Sequence, residues 1–190
     1  MELPIYTDKH FELDESMGSE IFPAEFDGCS FKKVHFGQWD LSKTAFMDCL
    51  FTDCNLSGAR IVKTAFKDVK FRNCKMTGLH FDQADPFLFE VDFEDCQLEL
   101  SSFYKCQLKK TRFVRTLLKE VDFTDANLGE AVFDHADLSM ATFDNTFLEK
   151  ADLRTALNYT IDPQKNKIKK IKCSYPGVLG FMDHLDIIIE

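Results

Sequence analysis

Residues 126–145 read ANLGE-AVFDH-ADLSM-ATFDN, which is one five-residue pattern written four times in succession. The third residue of each copy is large and apolar, alternately Leu and Phe, and the first is always Ala. A period of five fits neither the 3.6-residue turn of an α-helix nor the two-residue alternation of a flat strand. It fits a solenoid in which five residues make one side and one corner of each coil, with large and small residues pointing inward.

The same pattern covers most of the chain in two runs that are separated by a register break. Large apolar residues recur at every fifth position from Phe26 to Phe81 and again from Leu88 to Leu153, with a two-residue slip within residues 82–87. These positions hold 14 of the 20 phenylalanines, whereas a phase chosen at random would collect about a fifth of them. Two residues before each large residue lies a second class, mostly Ala, Cys, Thr, Ser or Val.

The alternation of Leu and Phe in the second run indicates how many sides each coil has. A period of ten requires an even number of repeats per coil if like residues are to stack on like. A four-sided coil of 20 residues produces two facing phenylalanine columns, Phe93/Phe113/Phe133 and Phe103/Phe123/Phe143. Rings at the strand spacing of about 4.8 Å are at a favourable stacking distance. We therefore predict an all-β, right-handed quadrilateral β-helix of roughly six and a half coils.

Charged residues 20 positions apart support the same coil length, because they would be neighbours on adjacent coils. Opposite charges occur at this spacing in Glu90/Lys110/Glu130/Lys150, Asp92/Arg112, Asp95/Arg115, Glu99/Lys119, Lys105/Asp125 and Asp134/Arg154. Much of the surface charge is therefore expected to form exposed pairs, each of which stabilises the fold little.

The extent of the pattern divides the chain into three segments. We predict an N-terminal cap in residues 1–20, the β-helix in residues 21–157, and a C-terminal cap or dimerisation segment in residues 158–190. The last segment is expected to contain a short helix in residues 178–185 and a β-prone end in residues 186–190. Its apolar side chains should cap the last coil or form a homodimer contact, because they should not remain in water. The candidate dimer residues are Leu179, Met182, Leu185, Ile187 and Ile189.

Composition and charge argue against several classes of partner. The formal net charge of -9 and pI near 5.1 disfavour direct binding to nucleic acid or to an anionic membrane, since both need an excess of Lys and Arg. No stretch approaches the roughly 20 apolar residues of a membrane span. The first 16 residues lack the apolar run of a signal peptide, so the cytoplasm is the expected compartment.

No enzyme is predicted, and no cofactor or metal site. Six of the seven cysteines lie at the small inward position and are expected to be buried: Cys29, Cys49, Cys54, Cys74, Cys96 and Cys106. There is no CxxC spacing, the five histidines form no cluster, and no phosphate-binding, nucleophile or zinc-protease motif occurs. The pairs Cys29/Cys49 and Cys54/Cys74 should meet across coils, but a disulfide is not expected in a reducing compartment.

The strongest candidate for a functional surface is acidic. Residues 120–152 hold nine carboxylates against one lysine. Setting aside those in the charge pairs leaves six that lack an opposite charge one coil away: Glu120, Asp122, Asp137, Asp144, Glu149 and Asp152. A rigid rod with spaced carboxylates can imitate the phosphates of DNA and occupy a basic DNA-binding groove. The alternative interpretation is a solvated face that only keeps the protein in solution.

The repeats Ala126-Asn127-Leu128, Ala136-Asp137-Leu138 and Ala151-Asp152-Leu153 resemble those of the pentapeptide-repeat superfamily. Within it, the register break after residues 74–78 and the tail, with Asn158-Tyr159 and Leu185-Asp186-Ile187, resemble the branch of Qnr quinolone-resistance and albicidin- and microcin-immunity proteins.

This resemblance implies a β-helix that dimerises through its C-terminal segment into a DNA-like rod. It also implies binding to DNA gyrase or topoisomerase IV and protection of the enzyme from a poison. The period is uninterrupted within each run, so the large projecting loops of Qnr proteins are absent here. The alternative function is a generic scaffold for another protein partner.

Overall fold

The computed structural model describes residues 3–12, 19–185 and 187, which form a parallel β-solenoid. Most strands have only three residues, because each makes a single side of a coil. The strands are β1 (Ile5–Thr7), β2 (His10–Glu12), β3 (Glu25–Asp27), β4 (Ser30–Lys32), β5 (Ala45–Met47), β6 (Leu50–Thr52), β7 (Ala65–Arg72), β8 (Phe89–Glu94), β9 (Arg112–Val114), β10 (Val132–Asp134), β11 (Asp152–Leu153) and β12 (Lys172–Cys173). Short 3₁₀ helices occupy Ser19–Ile21, Phe81–Gln83, Pro176–Phe181 and Asp183–Leu185.

Successive coils stack in the predicted 20-residue register. Phe113 of β9 lies opposite Phe133 of β10, and sides without named strands continue the ladder through single bridges, such as Asp122 with Thr142. The hydrogen-bonded path β1-β3-β5-β7-β8-β9-β10-β11-β12 passes through nine strands, and the described chain makes about eight turns. The predicted six and a half coils were too few, because the solenoid extends further at both ends.

The four sides are numbered here from the coil of residues 126–145. Face 1 is centred on Leu128, face 2 on Phe133, face 3 on Leu138 and face 4 on Phe143, and all four centres are buried. The residue before each centre reaches the surface, at least partly. Outward positions therefore recur on each face once per coil.

Two facing columns of phenylalanine fill the C-terminal half of the solenoid, as predicted. On face 2, Phe113 stacks on Phe93 with ring centroids 5.3 Å apart and on Phe133 at 5.0 Å. On face 4, Phe123 stacks on Phe103 at 5.5 Å. The two columns meet edge to face, with Phe103 and Phe113 at 6.1 Å and an interplanar angle of 82°. Both arrangements are favourable for aromatic quadrupoles, and the alternating columns explain why Leu fills faces 1 and 3.

Several of the small inward side chains form hydrogen bonds with backbone carbonyls of the coil below. The Thr146 hydroxyl donates to the carbonyl of Phe123 at 2.9 Å, and the Ser101 hydroxyl donates to that of Met76 at 2.8 Å. The Cys49 thiol reaches the Phe26 carbonyl at 3.5 Å. A hydroxyl at this position can bond to the coil below, as those of Thr146 and Ser101 do, although the buried Thr44 hydroxyl has no partner among the described residues. Ala, Cys, Ser and Thr can therefore alternate there.

All seven cysteines are free thiols, and five of the six predicted at small inward positions are buried. The sixth, Cys106, is half-buried. Burial raises the pKa of both Cys49 and Cys106 to about 12, so these thiols stay protonated at neutral pH. The cysteines therefore belong to the core, and Cys29 and Cys49 do not form a disulfide.

The register break differs in detail from the prediction. Leu88, predicted as the first centre of the second run, is 41% exposed, and Phe89 is buried in its place. The two additional residues are taken up by the 3₁₀ turn at Phe81–Gln83 and by a register shift between β7 and β8. Ala84 is buried, whereas Pro86, two residues before Leu88, is exposed.

The repeat extends beyond the predicted bounds of 21–157. In the segment predicted as an N-terminal cap, β1 and β2 pair with β3 and β4, and the ring of Tyr6 stacks on Phe26 at 5.1 Å. At the other end, β12 pairs with β11 in the 20-residue register. The last coil is covered by the helix Pro176–Phe181, whose Phe181 ring lies 5.5 Å from that of Tyr159.

Among the residues described here, no helix is long and apolar enough to cross a membrane.

Candidate functional site

Four of the six predicted carboxylates lie together on faces 3 and 4. Asp137 precedes the centre of face 3, and Asp122 precedes the centre of face 4 in the coil below. Glu120 turns the corner between these faces, and Asp144 follows the centre of face 4. Five residues per side place these groups outward on neighbouring faces although they span 25 positions of sequence.

The two carboxylates that precede centres are held in fixed positions. The backbone N–H of Thr124 donates to Oδ1 of Asp122 at 2.9 Å. Oδ1 of Asp137 accepts hydrogen bonds from the Ser139 N–H at 3.0 Å, the Ser139 hydroxyl at 2.6 Å and Nδ2 of Asn158 at 2.9 Å. Local hydrogen bonds of this kind fix the direction of a side chain.

Asp137 carries its charge well below neutral pH. Partial burial opposes ionisation, but the hydrogen bonds from Ser139 and Asn158 and the field of Lys119 outweigh it, and the pKa of Asp137 lies below its usual value. Asp137 therefore gives face 3 a fixed negative charge at physiological pH.

The remaining two predicted carboxylates lie elsewhere. Glu149 follows the centre of face 1, and Asp152 is on face 2. The prediction that Asp152 is unpaired was wrong. Arg154 binds it through two guanidinium nitrogens at 2.9 and 2.7 Å, and Lys172 lies 4.0 Å away. The Asp152 carboxylate therefore belongs to the ion pairs that stabilise face 2.

Glu120 also has a partner that the prediction did not include. The Lys119 ammonium lies 3.6 Å from Glu120 Oε1. Both side chains are largely exposed, so the pair is weak and screened by salt. A stronger cationic partner could displace Lys119.

The predicted charge pairs form only in part. Arg115 and Asp95 form a bidentate ion pair, as predicted, with Nε–Oδ1 and Nη2–Oδ2 distances of 2.7 and 2.8 Å. Arg154, by contrast, binds Asp152 in its own coil and not Asp134. The coil register brings backbone positions together, but long side chains choose among several neighbours within reach.

We expect Asp152→Asn to lower stability at pH 7 and to have little effect in acid. The Arg154 guanidinium holds the pKa of Asp152 below the ordinary value of 3.8. A lowered folded-state pKa stabilises the fold above the unfolded pKa, and this contribution is lost as the pH falls through the folded pKa. Chemical unfolding of both proteins at pH 7 and near pH 3 measures the difference. An equal loss of stability at the two pH values would contradict the charge assignment.

Basic residues of the last described coil lie on the other side of the rod. Lys167 bridges to Phe147 on face 1, Lys169 follows the centre of that face, and Lys170 turns its corner. The β-helix therefore has an acidic side, faces 3 and 4, and a basic patch on face 1 near its C-terminal end.

Face 3 also exposes apolar side chains that the sequence reasoning missed. Leu100 is 59% exposed, Leu117 42%, Met140 72% and Leu157 52%. The sequence could have indicated this exposure, because each of these residues occupies an outward position of the repeat.

The predicted dimer residues are mostly exposed at the C-terminal end. Leu179, Leu185 and Ile187 are each nearly half exposed, and Met182 is half-buried. The helix expected in residues 178–185 is present as two short 3₁₀ helices, in which residues three apart share a face. Ile189 lies outside the described residues.

Among residues 3–12, 19–185 and 187, no group of three or more His, Cys, Asp or Glu side chains is placed to hold a metal ion.

Comparison with known proteins identifies the repeat. The family model described as "Pentapeptide repeat region" matches residues 24–86 and 87–156. No curated protein sequence shows a significant match. A trypsin-treated form of QnrB1, a plasmid-mediated fluoroquinolone resistance protein, superposes with a TM-score of 0.63 at 15% identity, covering 100% of this chain and 99% of that chain.

Two further solved structures are more distant. Full-length QnrB1 gives a TM-score of 0.46 at 18% identity, covering 96% of this chain and 100% of that one. HetL, a pentapeptide repeat protein involved in heterocyst differentiation regulation from Nostoc sp. strain PCC 7120, gives 0.41 at 13% identity, covering 92% and 86%.

Proposed function

Since the chain belongs to the pentapeptide-repeat family, we propose that it is a non-enzymatic DNA mimic that binds DNA gyrase or topoisomerase IV. In this role it protects the enzyme from a poison of the quinolone, albicidin or microcin type. The acidic side of the rod, with Asp122, Asp137 and Asp144, enters the basic groove in which the topoisomerase binds DNA. Protection follows from competition with DNA for that groove, or from a change in its shape.

The observation that carries this proposal is the fixed direction of the carboxylates. Asp122 and Asp137 are oriented by hydrogen bonds from Thr124 and Ser139 of the same solenoid. The residues that follow them in the chain, Phe123 and Leu138, are fully buried in the core and hold this part of the backbone in place. Binding therefore loses little conformational entropy, because the charges are already in place. Flexible surface carboxylates would lose more entropy and would select a partner less well.

Charge distribution gives a second support. The formal net charge of -9 attracts a basic surface and steers its approach. Face 1 of the last coil, with Lys167 and Lys169, would be repelled by the same surface. This asymmetry selects one orientation of the rod, with faces 3 and 4 toward the enzyme.

The likeness to QnrB1 is a likeness of fold. It adds that a solenoid of this kind occurs in a protein described as conferring fluoroquinolone resistance. We place the protein in the cytoplasm, where it would meet its topoisomerase.

A supercoiling assay with purified gyrase, with and without a quinolone, tests the function. We expect the protein to restore supercoiling in the presence of the drug and to reduce cleavage complexes. Asp122→Asn, Asp137→Asn and Asp144→Asn combined should lose most of this effect. Asparagine keeps an oxygen acceptor for the Thr124 and Ser139 N–H groups, so that only charge is removed.

The matched control is the combination Asp27→Asn, Asp48→Asn and Asp53→Asn, which removes three charges near the other end of the rod. It should protect as well as the unmodified protein. If both triple variants lost protection equally, the effect would depend on the net charge of the protein and not on the acidic side of the rod. No effect of the unmodified protein at micromolar concentration would contradict the function and favour the scaffold alternative.

We further propose that two copies associate through the C-terminal segment, so that the rod doubles in length. Leu179 and Leu185 expose apolar area at the end of the solenoid, and such area favours association. Light scattering should show a dimer, and Leu179→Glu with Leu185→Glu should give a monomer. A monomeric unmodified protein would contradict this part of the proposal.

A further inference from the structure

Most corners of the solenoid have an unusual backbone conformation. At most corners the second residue after a centre adopts positive φ, a region that costs most side chains conformational energy and that Gly, Asn and Asp tolerate best. In the described residues, 23 non-glycine positions have positive φ. Nearly all are polar or charged; Leu100, at φ 61°, and Met140, at φ 58°, are the only apolar ones.

Leu100 and Met140 are unfavourable for folding in two respects. Their backbone is in the region that large apolar side chains rarely adopt, and the side chains are 59% and 72% exposed. Both lie on one corner column at the edge of face 3, with Glu120 between them: the Leu100 N–H bonds to Lys119 O, and the Glu120 N–H bonds to Ser139 O. Neither burial nor backbone preference explains Leu or Met there.

A second column on the same face repeats the combination. The ladder on face 3 runs through Gln97, Leu117, Asp137 and Leu157. Leu117 and Leu157 are 42% and 52% exposed, and the fixed carboxylate of Asp137 lies between them. Apolar and acidic groups thus alternate in both columns, Leu100-Glu120-Met140 and Leu117-Asp137-Leu157.

We propose that face 3 is an apolar docking surface, and that its occupant is a topoisomerase surface that offers an apolar groove flanked by Lys or Arg side chains. This inference rests on the proposed function and adds to it the part of the contact that DNA cannot imitate. A duplex presents phosphates but no exposed leucine or methionine. The protein therefore binds its target through contacts that DNA lacks, and so competes with DNA although it carries fewer charges.

Charge complementarity supports this occupant over a second copy of the chain. Residues 116–125 and 136–145, which form faces 3 and 4 of two successive coils, carry five carboxylates and one lysine. Two such surfaces would repel each other, whereas a basic surface would be attracted. The apolar side chains then lose their exposed area to the partner, a favourable term that salt does not screen.

The test uses Leu100→Asn with Met140→Asn in the full-length chain. Asn adopts positive φ more readily, so stability should stay equal or rise. Affinity for purified gyrase should fall about tenfold or more, because the apolar area of two side chains is no longer buried. A second variant, Leu117→Asn, should weaken binding in the same direction without a backbone effect.

Two controls separate the contributions. Lys150→Asn makes the same backbone change at a corner away from face 3, and Ile5→Asn removes an apolar side chain that is 68% exposed on face 1. Both should bind like the unmodified protein, and binding of the unmodified protein should weaken only moderately with added salt.

Three outcomes would overturn the inference in different ways. Unchanged affinity of the Leu100/Met140 and Leu117 variants would remove face 3 from the contact while leaving the proposed function intact. Loss of self-association in these variants, with gyrase binding retained, would make a second copy the occupant. Absence of binding by the unmodified protein would contradict the proposed function itself, and with it the choice of a topoisomerase.

Discussion

Replacing Phe113 by alanine should lower the free energy of unfolding by about 3–5 kcal/mol. The ring is fully buried. It stacks between Phe93 and Phe133 and meets Phe103 and Phe123 edge to face, at 6.1 and 6.0 Å. Alanine would leave a cavity in the middle of four rings, and the short strands on either side are tied by hydrogen bonds to coils above and below, so they cannot collapse into it.

Equilibrium chemical unfolding followed by circular dichroism measures this effect. Phe113→Leu is the matched control, because Leu fills the same inward position on faces 1 and 3, as Leu108 and Leu118 do. Its loss of stability should be clearly smaller than that of Phe113→Ala. A neutral result for alanine would contradict the assignment of this residue to the core.

Replacing Ala126 by phenylalanine should destabilise the protein by about 3 kcal/mol or more, at or above the usual cost of overpacking. Ala126 is buried at the small inward position of face 1. One coil above, Thr146 in the same column is fully buried and bonds to a backbone carbonyl. A large ring there would have to displace the backbone of the next coil, because the core is already filled by the residues at the centres.

The control for this substitution is Ala126→Thr. Thr64 and Thr146 occupy the same column and donate to carbonyls of the coil below at 2.8 and 2.9 Å. Threonine should therefore cost little at position 126. If Phe and Thr were tolerated equally well, the division into large and small inward positions would be wrong.

The central part of the fold could be predicted because inward positions are restricted by chemistry. A Leu or Phe at every fifth residue can be buried only in one phase, and the alternation of the two determines the coil length. The register break was harder, because Leu88 and Phe89 are adjacent large apolar residues and either could fill the core. Only the path of residues 81–87 decides between them.

The N-terminal extension was missed for a specific reason. Tyr6 and Phe11 are five residues apart and 20 residues before Phe26 and Phe31, as the repeat requires. The small-residue rule fails there, however, since Pro4 and Lys9 hold those positions. Pro4 and Lys9 are exposed in this coil, so these positions are not enclosed and tolerate such residues.

Surface pairing could not be predicted to the same degree. The 20-residue register places Asp134 and Arg154 on adjacent coils, but Arg154 reaches Asp152 within its own coil. Exposed ion pairs differ little in free energy, so small differences in distance decide among them. The apolar groups of face 3, by contrast, could have been found from the outward positions alone.

Competition with DNA tests the central claim most directly. Purified gyrase is bound to a short fluorescent duplex, and the protein is titrated in while the anisotropy of the duplex is followed. The account predicts that the duplex is released completely as the protein saturates the enzyme, and that the Asp122/Asp137/Asp144 to Asn variant releases little. A ternary complex, in which the enzyme holds both protein and duplex at saturation, would contradict DNA mimicry.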